Sequence, residues 1–129
     1  MDTKVKRLVS PQNNMEVEFV GKLFHCGDVL HLAHLKTTSY AAHMALGDLY
    51  SSIRDHADDI AELIQGYKGL QSYTIPASNA EEPIAYLKEV RTYVTSKQAA
   101  FNYAPDIQNK LQDLIGDISK GIYKLENLK

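Results

Sequence analysis

The short polar connector Lys36–Ser39 decides most of what this chain can fold into. On its N-terminal side, from about Asn14 to Lys36, Val20, Leu23, Phe24, Gly27 and Leu30 recur at helical spacing, and His31 and His34 continue that stripe. On its C-terminal side the pattern predicts a second helix from about Ser39 to Gln65, with Thr38 or Ser39 supplying a capping hydroxyl. So short a connection between two helices makes them antiparallel neighbours. With the centre of the turn near Thr37, His31 and His43 are equally far from it in opposite directions. The two imidazoles are therefore expected at one level across the hairpin, as a candidate pair of metal ligands.

The second helix carries His43, Gly47, Tyr50, Arg54, Ala57 and Ala61 on one face at three- and four-residue steps. Asp58 and Glu62 stand one above the other on the same helix. At about 100° per residue, Asp58 is turned from His43 by roughly 60° and Glu62 by roughly 100°, and they lie about four and five turns further along. One helix cannot bring these groups to one ion. If they share a metal, a second chain supplies half of the ligands, and a dimer is the minimum assembly.

Beyond Gly66 the helical pattern stops over GYKGLQSYTIPASNAEEP, a stretch too long for a hairpin turn and suited to a crossover along a bundle. Glu81, Glu82 and Pro83 make a favourable first turn for a third helix to about Lys97, burying Ile84, Leu87, Val90 and Val94. AAFNYAP then interrupts, and Pro105 with Asp106 starts a fourth helix striped by Ile107, Leu111, Leu114, Ile115, Ile118, Ile122 and Leu125. No strand pattern competes. The expected fold is all-α, a four-helix bundle with a long crossover between helices two and three. Its 129 residues are expected to form one domain, with residues 1–12 as a flexible tail.

Charge and cysteine content narrow the function. Lys and Arg number 14 against 16 Asp and Glu, a net charge of -2, so the chain as a whole offers no nucleic-acid surface. The basic N-terminus holds only Lys4, Lys6 and Arg7. Cys26 is the sole cysteine and cannot form an internal disulfide, which suits a reducing cytoplasm; a small buried hydrophobe is its expected role. No segment is long and apolar enough to span a membrane, and Met1–Ser10 lacks the apolar middle of a secretion signal. There is no Glu-x-x-His for an intrachain di-iron centre, no His-Glu-x-x-His for a zinc protease and no Gly-rich phosphate loop. Imidazole with carboxylate suits iron, manganese or zinc without choosing among them. Taken singly, each His is more simply a core imidazole, and Asp55, Asp58, Asp59 and Glu62 a solvated face; Tyr40 and Tyr50 are more simply core aromatics than radical traps.

The spacing of His31, His43, Asp58 and Glu62, followed by a Gly-containing crossover, resembles the Dps-like mini-ferritins of the ferritin-like superfamily. The first two helices carry the resemblance, and the remainder is similar in architecture. HLKTTSYAAH, TIPAS and EPIAYLKEVRTYV are closer still to short ferritin-like proteins of tailed phages. The mini-ferritin resemblance implies an iron-oxidising centre at a two-fold interface, with the His pair from one subunit and the carboxylates from the other. It also implies a cytoplasmic hollow dodecamer that oxidises Fe(II), often with hydrogen peroxide, and stores ferric mineral. Where that pattern has Asp four residues after the second His, this chain has Gly47, with Asp48 beside it but turned about 100° away. Where it has Trp after the first His, this chain has Leu32. Loss of one carboxylate weakens a hard-cation site, and His34, one turn beyond His31, is the candidate replacement. The reduced basic tail argues against strong DNA binding. Two expectations result: a Dps-like iron-binding protein acting as a ferroxidase at an inter-subunit site, and, as the alternative, a non-catalytic oligomeric bundle serving as a phage accessory protein.

Overall fold

The computed structural model describes residues 14–129, and Asn14 caps the first helix among them. The Asn14 Oδ1 accepts from the backbone N–H groups of Glu16 and Val17 at 2.9 and 3.3 Å, satisfying donors that a helix start leaves open. Helix α1 runs Met15–Lys36. Thr37 and Ser39 are extended, and the Ser39 Oγ accepts from the Ala42 N–H at 3.2 Å to open α2, Tyr40–Lys68. Gly69, at φ 86°, ends α2 in a backbone conformation that a side chain would strain. Helix α3, Pro83–Ser96, is capped by the Glu82 carboxylate and has Pro at its first position, where no amide donor is needed. A short 3-10 turn, Ala99–Phe101, leads into α4, Pro105–Asn127. No strand occurs among the described residues. The tail expected over residues 1–12, with Lys4, Lys6 and Arg7, lies outside the described residues.

The four α-helices among the described residues pack about one core. Leu23 and Leu30 from α1, Ile53, Ile60 and Ile64 from α2, Leu87 and Val94 from α3, and Ile107, Leu111, Leu114 and Ile118 from α4 are buried together. Each set repeats at helical spacing, so hydrophobic burial selects which face of each helix turns inward. Cys26 is buried in the same core beside Tyr86, and burial pushes its thiol up to about 12 against the lowering effect of the Tyr86 hydroxyl. At that value the thiol is inert.

Cross-helix contacts give the directions. Ser52 reaches Asp117 and Asp59 reaches Lys110, so α2 and α4 are antiparallel. Lys88 meets Glu126 while Gln98 and Gln108 exchange amide-to-carbonyl bonds, so α3 and α4 are antiparallel too. Helices α2 and α3 therefore run in the same direction, which requires the connection over 69–82 to return along the length of the molecule. It does so beside α1: Gln71 meets Asn14, the Thr74 carbonyl lies against Gly21, and the Pro76 carbonyl and the Ser78 Oγ meet the His25 Nδ1 at 3.3 and 2.9 Å. Gly21 is what allows this approach, because a Cβ there would collide with the Thr74 backbone.

Candidate functional site

Across the α1–α2 hairpin the ring of His34 stacks on that of His43, with centroids 3.7 Å apart and planes at 18°. The His34 Nδ1 lies 2.6 Å from the His43 carbonyl, and the His43 Nδ1 lies 2.9 Å from the His34 carbonyl. A carbonyl only accepts, so each Nδ1 carries a proton and each neutral ring has its lone pair on Nε2. Gly47 provides the space, since a Cβ at that position would stand 3.1 Å from the His34 Cε1. The place where the resemblance expects an Asp is therefore occupied by an imidazole from the opposite helix.

His31 is not level with His43. It stacks on Tyr50 at 4.0 Å, and its ring centre is 6.0 Å from that of His34. The register follows the pairs Gly27–Arg54, His31–Tyr50 and His34–Gly47, whose centre of symmetry falls at the start of α2 rather than near Thr37. The Nδ1 of His31 faces the Arg54 Nη1 at 3.3 Å. A guanidinium only donates, so in the neutral His31 ring the proton sits on Nε2, the opposite arrangement to His34 and His43. The second Arg54 nitrogen donates to the Asp28 carboxylate at 2.7 Å, and the guanidinium lies 5.1 Å from the centre of the Tyr50 ring.

Asp58 and Glu62 are exposed on α2, well separated from the imidazoles along the same helix. The Glu62 carboxyl is held above the usual glutamate range, first by sharing a hydrogen bond with Asp58, then by repulsion from it, with smaller effects of burial and of Asp59. Asp48 lies elsewhere: it lines a cavity between α2 and α4 with Ser52, Asp117, Lys120 and Lys124. Among the described residues, no three His, Cys, Asp or Glu groups of one chain converge as a metal cage.

Two polar clusters were not legible from local spacing. Asp117 Oδ2 accepts from the Ser52 Oγ at 2.7 Å and meets the His56 Nε2 at 2.8 Å, tying α4 to α2. Burial pushes the Asp117 carboxyl upward, but His56, Ser52 and Lys120 outweigh it and hold the group below the usual aspartate range. At the far end of the molecule the buried Glu16 pairs with Lys68 at 2.6 Å and accepts from the Tyr103 hydroxyl at 2.8 Å. Here too burial raises the carboxyl, and Lys68, Tyr103 and the residue's own N–H together bring it below the usual range. Partners 52 to 87 residues apart in the chain give no signal to a reading of neighbouring positions.

Residues 34–125 match a family described as a family of unknown function (DUF5856). The chain is also 28% identical, over 110 residues, to a protein of Enterobacteria phage T4 described as an uncharacterized 14.6 kDa protein in the mobD-ri intergenic region. That alignment covers 84% of this chain and 85% of the phage protein. No solved structure matches the chain. No helix among the described residues is long and apolar enough to cross a membrane.

Proposed function

The chain belongs to this family of unknown function, and from its α1–α2 hairpin we propose that it is a mini-ferritin-like protein that binds Fe(II) between two copies of itself. The observation that carries the proposal is the paired tautomer of His34 and His43, in which each ring gives its Nδ1–H to a backbone carbonyl and keeps the Nε2 lone pair. Metal-binding imidazoles are commonly oriented in this way, with the second nitrogen fixed by a carbonyl or carboxylate. Neither Nε2 has a protein partner among the described residues. Asp58 and Glu62, crowded together on the exposed face of α2, suit a cation from a second copy, which would take the place of the proton they share and relieve their mutual repulsion. On this reading His43 and His34 each offer one Nε2 lone pair in its own ring plane, either of which supplies the imidazole ligand, and Asp58 and Glu62 of a second copy complete the site.

Imidazole and carboxylate together suit iron, and zinc or manganese would take the same donors. The Fe(II) is substrate: as a ferroxidase, the protein passes one electron from each ion to oxygen or hydrogen peroxide, and the carboxylates favour the Fe(III) produced. On the same reading the protein is a ferritin-like homo-oligomer, with a shell of twelve copies as its largest form, working in a host cytoplasm. The test is an anaerobic Fe(II) titration of metal-free protein by calorimetry, with His43→Ala and Glu62→Gln alongside. Saturable binding near one ion per chain, lost in both variants, is the expected result.

A second reading is favoured by one observation: His34 fills the space above Gly47, so the imidazoles also serve to close the hairpin. A non-catalytic oligomeric scaffold would use them for that alone, and an Fe(II) titration without saturable binding would select it.

A further inference from the structure

Asp28 and His31 are three residues apart on α1 and turn a carboxylate and an imidazole lone pair toward one point, and that point is occupied by the Arg54 guanidinium. The guanidinium is held on three sides: by the Asp28 Oδ1 at 2.7 Å, by the His31 Nδ1 at 3.3 Å and by the face of Tyr50. Its stem has its own place, because a Cβ on Gly27 would stand 3.0 Å from the Arg54 Cγ. Beside the three groups is a cavity walled by Leu32, Leu35 and the crossover residues Ile75–Ser78, wide enough to admit water to the guanidinium. Carboxylate, imidazole lone pair and water are the donors a divalent transition metal takes. Here they already hold a cation that is part of the chain.

We infer that Arg54 is the resident cation of the Asp28–His31 pair and fixes the metal content of the hairpin, excluding a second ion next to the one proposed at His34 and His43. A metal approaching His31 meets a lone pair already committed to a hydrogen bond, a carboxylate already neutralised, and a positive charge within contact distance. The inference rests on the proposed reading only in treating the hairpin face as one that meets metal ions; its own content is the state of His31.

The test uses Zn(II) as a diamagnetic probe and follows the imidazole nitrogens of the full chain by 15N NMR. In the unaltered protein the Nδ1 of His31 is expected to remain unmetallated at Zn(II) concentrations that saturate His34 and His43. In Arg54→Met, and in Arg54→Gln as a second neutral replacement, the Nδ1 of His31 is expected to take Zn(II), adding about one ion per chain to the calorimetric stoichiometry. Asp28→Asn in the Arg54→Met background should remove the added ion, and Arg54→Lys, which keeps the charge, should keep His31 free of metal. Zn(II) on His31 of the unaltered protein would overturn the inference. So would a folded Arg54→Met or Arg54→Gln whose His31 takes none, or an Arg54→Lys that takes as much as the neutral variants. Absence of Zn(II) from His34 and His43 would defeat the proposed function and leave the His31 result readable, because each ring has its own signals.

Discussion

His34 and His43 each donate their Nδ1 proton to the other's backbone carbonyl while their rings lie face to face at 3.7 Å. The arrangement locks both tautomers from opposite sides of the hairpin. At neutral pH, 15N imidazole spectra should show the unprotonated fractions of His34 and His43 as Nδ1–H tautomers and that of His31 as the Nε2–H tautomer. His34→Ala removes one hydrogen bond and the stacking and should lower stability by about 1–2 kcal/mol. A His31 spectrum like those of the other two would contradict the Arg54 contact.

Gly47 should behave differently from Gly66 and Gly116. Replacing a helical glycine by alanine gains roughly 0.5–1 kcal/mol from propensity where the new methyl meets nothing. Nothing lies within 4 Å of a Cβ at Gly66 or Gly116, so both alanine variants should be more stable by about that amount. At Gly47 the methyl meets the His34 ring at 3.1 and 3.3 Å, and that ring is pinned by the clasp with His43. Two hydrogen bonds worth about 1 kcal/mol each are then strained, so Gly47→Ala should be net destabilising by about 1 kcal/mol. Denaturant midpoints of the three single variants decide the sign in each case.

The pH dependence of stability should be carried at low pH by Glu16 and Asp117. Both are held below their ordinary ranges, so in the unfolded chain each binds protons more readily. Their contribution is complete above the ordinary carboxylate range, near pH 4, and is lost as pH falls through the depressed folded values. Glu16→Gln leaves Lys68 without its partner and should cost about 1–3 kcal/mol at pH 7. Its loss relative to the unaltered protein should shrink as the pH is lowered, a trend that denaturant melts at several pH values will measure.

Glu62 has the opposite sign. Its folded carboxyl lies above the usual range, so ionising it as pH rises through that value weakens the fold. Glu62→Gln should therefore raise the melting temperature of metal-free protein near neutral pH. If Asp58 and Glu62 receive a cation, the unaltered protein should gain more than the variant when Fe(II) is added.

Gly21→Ala should release the crossover without disturbing the helices. The added methyl meets the Thr74 backbone, which moves only with the segment that carries it. Amide exchange should rise over residues 70–78, with little change in helical circular dichroism.

The helices were legible because their signals are local. Asn14, Ser39, Glu82 with Pro83, and Pro105 mark the starts, and the Ile107–Leu125 stripe reads as one face of α4. The crossover was legible from its length. The hairpin register was not, and the imidazole pairing changed with it. Placing the centre of symmetry at Thr37 assumes that both helices leave the turn in the same phase. Thr37 and Ser39 are extended, and side chains on antiparallel helices lean in opposite directions, so His34 rather than His31 meets His43. Arg54 was legible as a member of the α2 face that carries His43 and Tyr50, but its attachment to Asp28 depends on that same register.

The crossover also bears on the order in which the chain assembles. His34 and His43 are nine residues apart, whereas the contacts that fasten the crossover to α1 join residues 51 to 57 apart. Closing the longer loops requires more chain entropy to be given up before any contact rewards it. The hairpin is therefore expected early, with high φ-values at Leu30 and Leu46, and the crossover late, with values near zero at Gly21 and Tyr73. Late attachment means that a variant loosening the crossover should hasten unfolding and leave the refolding rate nearly unchanged.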